Sequence, residues 1–331
     1  MNSWSLSQVW NLALDNIPRR ELEARDHVWA SELGGSFYDR YWKMKGRQPT
    51  TPPNPRALRK FEAGNLTEWI ILQILARAGV LKGTQEHFEE NSGALKVTGR
   101  LDFQAGGEIQ KADYSDLSES FQGIAESTIA QLVEKFPDGL AEVNIEVKSC
   151  AGMMFERYLL APAPQHGLQA FVQAKATHRP TLLVYVSRDD LRIVEWKINP
   201  RSEKWQKLYD KDLEKMAEVA NIPEPLVIEA EELNTWPKDL ELIKEPLLQW
   251  SGGKFSSNWK VEYSNYLTDY GFEYPEEYSK PAKSIALRLN NIIKRIKEGK
   301  EMSKVNLATL DTCYKFYPEA EEIINKLKEK V

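Results

Sequence analysis

The chain has 331 residues, of which 42% are hydrophobic and 28% are charged, and its formal net charge is −5. That length allows one large domain or a core with additions, and the hydrophobic content is enough for a sizeable core. An acidic chain has no general positive field, so contact with nucleic acid requires a local basic groove. The only two cysteines, Cys150 and Cys313, exclude a disulfide framework and a zinc ribbon.

The sequence also predicts a soluble, intracellular protein that does not enter a membrane. The segment Met1–Ser7 lacks the basic region and long apolar run of a secretion signal. No window approaches the roughly 18 consecutive apolar residues that a membrane span needs.

The first 54 residues are predicted to form short helical pieces, rich in tryptophan, that end in a proline-rich break. The break reads Gln48-Pro-Thr-Thr-Pro-Pro-Asn-Pro55. Asn54 suits a helix N-cap and Pro55 the first helical position, so we expect a strong helix from Pro55 to about Ala78. Apolar residues occur on most sides of this helix, which predicts that it is buried.

Strands are predicted after this helix. A hairpin is expected, with one strand before Asn91 and one from Leu95 to Phe103. An amphipathic helix over 116–136 then forms an insert near 111–138. In the segment Ala141–Ser149, apolar and polar residues alternate, which is typical of a strand with one apolar and one polar face.

The remaining elements complete an α/β pattern. A helix is expected from His166 to about His178, followed by a strand pair over 181–186 and 191–197. Charged, helical segments follow. We therefore predict an α/β fold with a mixed central β-sheet flanked by helices and with helical additions at both ends. The predicted divisions are 1–54, a core over 55–200, and a C-terminal extension over 201–331.

Four polar features stand in a distinctive order on these elements. Glu68 lies on an apolar helix face, where a carboxylate is costly unless it is paired or binds a cation. Asp102 ends Gly99-Arg-Leu-Asp102, Glu146-Val-Lys148 lies on a strand, and Gln169 lies on the next helix. Each feature alone has an ordinary explanation. Glu68 could lie at the margin of its helix, Asp102 at a strand end, Glu146 and Lys148 in a solvated ion pair, and Gln169 on a polar helix face. Their succession favours a shared site.

The chemistry of these residues suits metal-assisted cleavage of a phosphodiester. Carboxylate oxygens of Asp102 and Glu146 are the ligands that Mg²⁺ prefers, and the ion activates water and polarises a phosphate. Lys148 would orient or deprotonate that water, or offset charge on the phosphate. Glu68 would complete the metal shell or hold a second ion, and Gln169 would position the water or a phosphate oxygen.

These residues resemble the PD-(D/E)XK nuclease superfamily, in its RecB-like and phage-exonuclease branches. The likeness covers about residues 29–197. Four motifs carry it: Gly64-Asn-Leu-Thr-Glu68, Gly99-Arg-Leu-Asp102, Glu146-Val-Lys148 and His166-Gly-Leu-Gln169. The resemblance implies a restriction-endonuclease-like core and a DNA nuclease dependent on Mg²⁺ or Mn²⁺, and the family branch favours an exonuclease over a site-specific endonuclease. It further implies DNA ends, single- or double-stranded, as the partner, and a role in recombination, repair or phage DNA processing. The compartment would be the cytoplasm, or that of the host for a phage protein.

The chain departs from the resemblance in two places. Gln173 stands where the glutamine helix of these nucleases often has a tyrosine. Several relatives also carry an iron–sulfur cluster on four cysteines, which two cysteines do not provide, so we expect no cluster. Two other functions stay open: a non-cleaving DNA-binding or assembly protein with the nuclease fold, and a scaffold whose Glu-x-Lys pair is accidental.

Candidate DNA contacts lie beside these motifs. They are Arg56, Arg59, Lys60, Arg100 and His166. A second basic stretch over 280–300 either follows a DNA backbone or is the solvated face of a helix, and we favour the solvated face.

Overall fold

The computed structural model describes the chain except for residues 1–4, 17–20, 52, 92, 111–113, 115–118, 225–237 and 330–331. The helices are α1 (Leu6–Asp15), α2 (Phe37–Met44), α3 (Pro55–Arg77), α4 (Glu119–Lys135), α5 (Gly152–Tyr158), α6 (Pro164–Thr177), α7 (Glu203–Ala220), α8 (Lys238–Leu242), α9 (Trp259–Glu262), α10 (Pro275–Lys297), α11 (Lys304–Phe316) and α12 (Glu319–Lys328). The strands are β1 (His27–Trp29), β2 (Leu81–Thr84), β3 (His87–Glu90), β4 (Lys96–Arg100), β5 (Phe103–Gly107), β6 (Leu140–Cys150), β7 (Thr181–Ser187), β8 (Ile193–Ile198), β9 (Leu248–Ser251) and β10 (Lys254–Ser257).

The chain divides into two compact units. The first unit comprises Met1–Gly34 and Pro53–Ala220, and the second comprises Gly35–Pro52 and Asn221–Val331. Division into an N-terminal segment, a core and a C-terminal extension stays a prediction.

A five-stranded mixed sheet organises the first unit. Its strand order is β2-β5-β6-β7-β8, in which β6 and β7 are parallel and the other neighbours are antiparallel. Ile71 of α3 packs against Ile145 and Val147 on one face of β6. On the opposite face, α6 contacts Asn144 and Glu146. The predicted α/β fold with a mixed sheet between helices is therefore confirmed, as is the alternation within β6.

Helix α3 begins where the sequence predicts, but the expectation that it is buried is wrong. The Asn54 side chain accepts a hydrogen bond from the Ala57 amide at 2.9 Å, as a helix N-cap does. Only Thr67 and Ile71 are buried along its described length. Several large apolar residues are exposed instead, namely Phe61, Leu66, Trp69 and Ile74. Only one stripe of α3 packs on the five-stranded sheet. Apolar residues on the other sides of the helix do not contact that sheet.

The single strand predicted over Leu95–Phe103 is also wrong, because the chain bends at Asp102. Strand β4 ends at Arg100 and pairs with β3 and β1 in a separate three-stranded sheet. Strand β5 starts at Phe103 and enters the five-stranded sheet. The predicted hairpin with the strand before Asn91 is present as β3–β4. The bend places Asp102 at the junction of the two sheets.

The later elements agree more closely with the sequence. Helix α6 and strands β7 and β8 lie within a few residues of their predicted bounds, and α10 and α12 lie in the region predicted to contain charged, helical segments. The first residues of the helix predicted over 116–136 lie outside the described residues, and α4 corresponds to the remainder. The hairpin β9–β10 in the second unit is new. Gly252 and Gly253 form its turn with φ of +59° and +76°, which favours glycine.

A large apolar cluster forms the core of the second unit. Leu289, Ile292 and Ile296 of α10 lie in it with residues from β10, α11 and α12. None of the described helices is long and apolar enough to cross a membrane.

Candidate active site

Glu146 is the most enclosed charged residue of the site. Its side chain is only 1% exposed, and the Lys148 ammonium lies 2.5 Å from its Oε1. A solvated surface pair would leave both groups open to water, so that explanation of Glu146-Val-Lys148 does not fit. Burying a carboxylate requires partners for both of its oxygens.

Gln173 supplies the second partner, and the sequence did not identify it as a site residue. Its Nε2 donates a hydrogen bond to Glu146 Oε2 at 2.5 Å, and the side chain is 0% exposed. Gln169, the predicted residue, lies one turn earlier on α6. Within the described residues no hydrogen bond joins Gln169 to Glu146, Asp102 or Glu68. The available signal was the spacing of four residues, which places Gln169 and Gln173 on one helix face.

Asp102 is tied to the backbone of β6 between the two motif residues. The Val147 amide donates to Asp102 Oδ2 at 2.8 Å. Burial raises the pKa of this carboxyl well above its usual value, and the nearby charge of Glu146 adds to that effect while Lys148 opposes it. The bend between β4 and β5 thus brings the carboxylate of the Gly-x-x-Asp segment to the Glu-x-Lys strand.

Glu68 approaches the same charges from α3. Burial raises the pKa of Glu68, Lys148 opposes the rise and Glu146 adds to it. The side chain is half-buried, which agrees with its place at the edge of the stripe that packs on the sheet. The structure therefore brings all three predicted carboxylates within electrostatic reach of one lysine.

Lys148 is the cation of this group. Burial alone lowers the pKa of a lysine, but Glu146, Asp102 and Glu68 outweigh it, so the pKa is raised above its usual value. The side chain keeps 25% of its surface exposed. Three carboxylates thus face one ammonium whose side chain is partly exposed.

His166 lies in the first turn of α6 and contacts β7, the strand that pairs with the Lys148 strand β6. Its Nδ1 is 3.1 Å from the Tyr185 hydroxyl, and Tyr185 is the residue of β7 in register with Lys148. Burial, with help from the Lys148 charge, lowers the pKa of His166 to about 3. The imidazole is therefore neutral at physiological pH.

The four basic residues predicted to contact DNA lie around α3 and β4. Arg56 and Lys60 are exposed on the first turns of α3, and Arg59 is half-buried between them. Arg100 is exposed at the end of β4, two residues before Asp102. Their contact with DNA stays a prediction.

No three histidine, cysteine, aspartate or glutamate side chains in the described ranges are gathered closely enough to surround a metal ion. Lys148 lies beside one oxygen of Glu146, and the Val147 amide donates to one oxygen of Asp102. Each carboxylate oxygen has two lone pairs, so these bonds leave further acceptor positions.

Comparison with known proteins adds little. No protein-family model matches the chain, and no curated protein matches it significantly. The chain is similar to the crystal structure of SSO0001 with a TM-score of 0.37 and 15% identity, over 66% of this chain and 85% of that chain. A likeness of this degree does not indicate a function.

Proposed function

We propose that the chain is a metal-dependent DNA nuclease that hydrolyses phosphodiester bonds at the Glu146–Lys148 site, as a member of the PD-(D/E)XK superfamily. The observation that carries the proposal is the buried Glu146 carboxylate, bound by Lys148 and Gln173 and accompanied by Asp102 and Glu68. Titratable groups with pKa values shifted by burial and by one another are typical of functional sites.

The oxygen donors at this site are of the kind that a hard divalent cation prefers. Three carboxylates share one ammonium, and burial penalises the negative charge of Asp102 and Glu68. Mg²⁺ takes oxygen ligands and needs only one or two protein carboxylates beside its waters. Asp102 and Glu146 would hold Mg²⁺ or Mn²⁺, with Glu68 completing the shell or holding a second ion. The bound ion supplies Lewis-acid polarisation of the phosphate and activation of water.

Groups of the protein orient the carboxylates of Glu146 and Asp102. Gln173 and Lys148 fix the plane of the Glu146 carboxylate from its two oxygens, and the Val147 amide fixes Asp102. Preorganised donors of this kind stabilise charge as it develops, because they need no rearrangement during the reaction. The Lys148 ammonium has three N–H donors, so those not directed at Glu146 Oε1 would serve a phosphate oxygen or the attacking water.

The order of elements supports the family proposal. Helix α3 bears Glu68, the β4–β5 junction bears Asp102, β6 bears Glu146 and Lys148, and α6 bears Gln169 and Gln173. This is the succession of the four motifs that resemble RecB-like nucleases. The preference for an exonuclease on DNA ends, for recombination, repair or phage DNA processing, and for the cytoplasm as the compartment belongs to the same proposal.

The test compares wild type with Lys148→Ala on end-labelled single- and double-stranded DNA, with Mg²⁺ or with EDTA. We expect Mg²⁺-dependent release of label by wild type only. Substrates with blocked ends should resist an exonuclease and should still be cut by an endonuclease. Equal degradation by both proteins would contradict the mechanism, and binding without any cleavage by wild type would favour the non-cleaving alternative.

A further inference from the structure

The tautomer of His166 is decided by a buried hydroxyl. Tyr185 is 0% exposed, and its Oη accepts a hydrogen bond from the Ala163 amide at 3.0 Å. The second contact of this hydroxyl is His166 Nδ1, 3.1 Å away. Because the amide donates to the oxygen, the hydroxyl proton is directed to Nδ1.

The opposite arrangement is unfavourable. If Nδ1 carried the proton, the Tyr185 hydroxyl hydrogen would be buried without an acceptor among the described residues, at a cost of about 1–3 kcal/mol. A neutral imidazole has one donor and one acceptor nitrogen. With Nδ1 as the acceptor, Nε2 carries the proton.

The hydroxyl is held firmly in this position. The Tyr185 ring stacks on Tyr158 with centroids 4.0 Å apart and planes at 19°. In the parallel pair β6–β7, Tyr185 is in register with Lys148, so its side chain lies on the sheet face that also bears Lys148 and Glu146. His166 is thus fixed beside the site through Tyr185.

The Nε2 of His166 remains available. It makes no hydrogen bond within the part of the chain that the structure describes, and it is not among the buried polar atoms that lack a partner. It is therefore not fully enclosed by the described residues. The low pKa of His166 agrees with a neutral ring beside the Lys148 ammonium.

We propose that His166 is a substrate-binding residue whose neutral imidazole donates Nε2–H to a phosphate oxygen of the nucleic-acid strand beside Lys148, with Tyr185 fixing the tautomer. This inference rests on the proposed function for the identity of the ligand. It assigns His166 the role of an oriented hydrogen-bond donor and not that of a proton-transfer group. The Tyr185 hydroxyl acts only through His166.

The tautomer is tested by nuclear magnetic resonance on protein labelled with ¹⁵N at histidine. The chain has four histidines, and the spectrum of His166→Gln assigns the signal of His166. We expect the Nε2–H tautomer in wild type and a mixed or inverted tautomer in Tyr185→Phe. An Nδ1–H or mixed tautomer in wild type would overturn the proposal, and this readout does not depend on nuclease activity.

Binding is tested with a short fluorescein-labelled single-stranded oligonucleotide in EDTA, where the proposed cleavage is absent. His166→Phe removes the donor and keeps an aromatic ring, and we expect affinity to fall by about tenfold to a hundredfold, as for a hydrogen bond to a charged group. Tyr185→Phe should weaken binding less and should add nothing in the His166→Phe background. His166→Gln, whose amide can donate, should recover part of the affinity.

Different results would refute the role of His166 and the nuclease function. Wild-type affinity in His166→Phe, with Mg²⁺-dependent cleavage intact in wild type, would refute the role of His166 alone. Loss of affinity in His166→Phe together with absence of cleavage by wild type would retain the phosphate contact and refute the nuclease.

Discussion

At the scale of single residues, the site is defined by how a buried carboxylate is partnered. Glu146 has one oxygen on Lys148 and the other on Gln173, and Asp102 is held by the Val147 amide. Groups that orient a metal ligand affect metal affinity and activity although they do not touch the metal. The effect of each partner on Mg²⁺ affinity and on cleavage can therefore be measured separately.

Gln173→Leu removes the donor to Glu146 while nearly preserving volume. We expect Mg²⁺ affinity or cleavage rate to fall by about 10–100-fold, because the Glu146 carboxylate loses its orientation. The matched control is Gln206→Leu, since Gln206 donates to the Asp210 carboxylate at 2.7 Å on the exposed surface of α7. Steady-state kinetics over a Mg²⁺ series measures both. Equal effects of the two substitutions would mean that Gln173 has no special role.

Asp102→Asn is expected to stabilise the protein in EDTA and abolish cleavage. The pKa of Asp102 is raised in the folded chain, so the folded state binds this proton more tightly than the unfolded state does. The resulting stability is present at low pH and is lost as the pH rises through the folded pKa. Asparagine still accepts from the Val147 amide and has no charge to bury.

Thermal unfolding from pH 4 to pH 8 measures this effect. The Tm of the variant should exceed that of wild type by a few degrees at pH 8, and the difference should shrink towards pH 4. Mg²⁺ should raise the Tm of wild type only, because binding stabilises the folded state. A lower Tm for the variant at every pH would show that Asp102 is a stabilising structural residue.

At the scale of elements, close packing of α6 positions the glutamines. A Cβ at Gly167 would lie 2.1 Å from Cη2 of Trp205, a buried ring of α7. Glycine is therefore required for α6 to approach α7, and Gln169 and Gln173 follow two and six residues later on the same helix. The close packing of α6 on α7 thus explains the glycine in His166-Gly-Leu-Gln169.

Gly167→Ala is expected to destabilise the protein by about 1–3 kcal/mol, as overpacking of a core does. Gly123→Ala is the matched control, because a Cβ there meets nothing within 4 Å on α4. That substitution should stabilise the helix by about 0.5–1 kcal/mol. Urea denaturation gives both values. Neutral behaviour of Gly167→Ala would mean that α6 moves freely against α7.

The elements differ in how well the sequence predicted them. The Asn54 cap, the alternation in β6 and the strand pair β7–β8 follow local rules, and the structure has them near the expected positions. Two errors have tertiary causes. The break at Asp102 arises because β4 and β5 join different sheets, and the exposure of α3 arises because only one stripe meets the sheet. The contact of Gln173 with Glu146 also depends on how α6 lies over β6.

At the scale of the whole molecule, binding of a polyanion by an acidic chain requires a local basic surface. The net charge is −5. Arg56 and Lys60 are exposed one turn apart on α3, the helix that carries Glu68. Several cations near α10 are instead paired with carboxylates, such as Lys294 and Lys300 with Glu298. This pairing supports a solvated face for the second basic stretch.

Neutralising Arg56 and Lys60 together, as Arg56→Gln with Lys60→Gln, should weaken binding of single-stranded DNA. The slope of log K against log salt should become shallower by about 1.4, since each phosphate contact contributes about 0.7. Lys280→Gln with Lys297→Gln removes the same charge from exposed positions of α10 and serves as the control. A larger change in the control pair would place the DNA on α10 instead.

If Glu146 holds the metal that drives phosphodiester hydrolysis, Glu146→Gln should abolish cleavage, because it removes the charge and keeps the shape. The measurement is the rate of nucleotide release from linear DNA as a function of Mg²⁺ concentration. We expect a saturable Mg²⁺ dependence in wild type, and no release by Glu146→Gln at any Mg²⁺ concentration. Release by Glu146→Gln at the wild-type rate, or release by wild type that EDTA does not stop, would refute a metal site at Glu146.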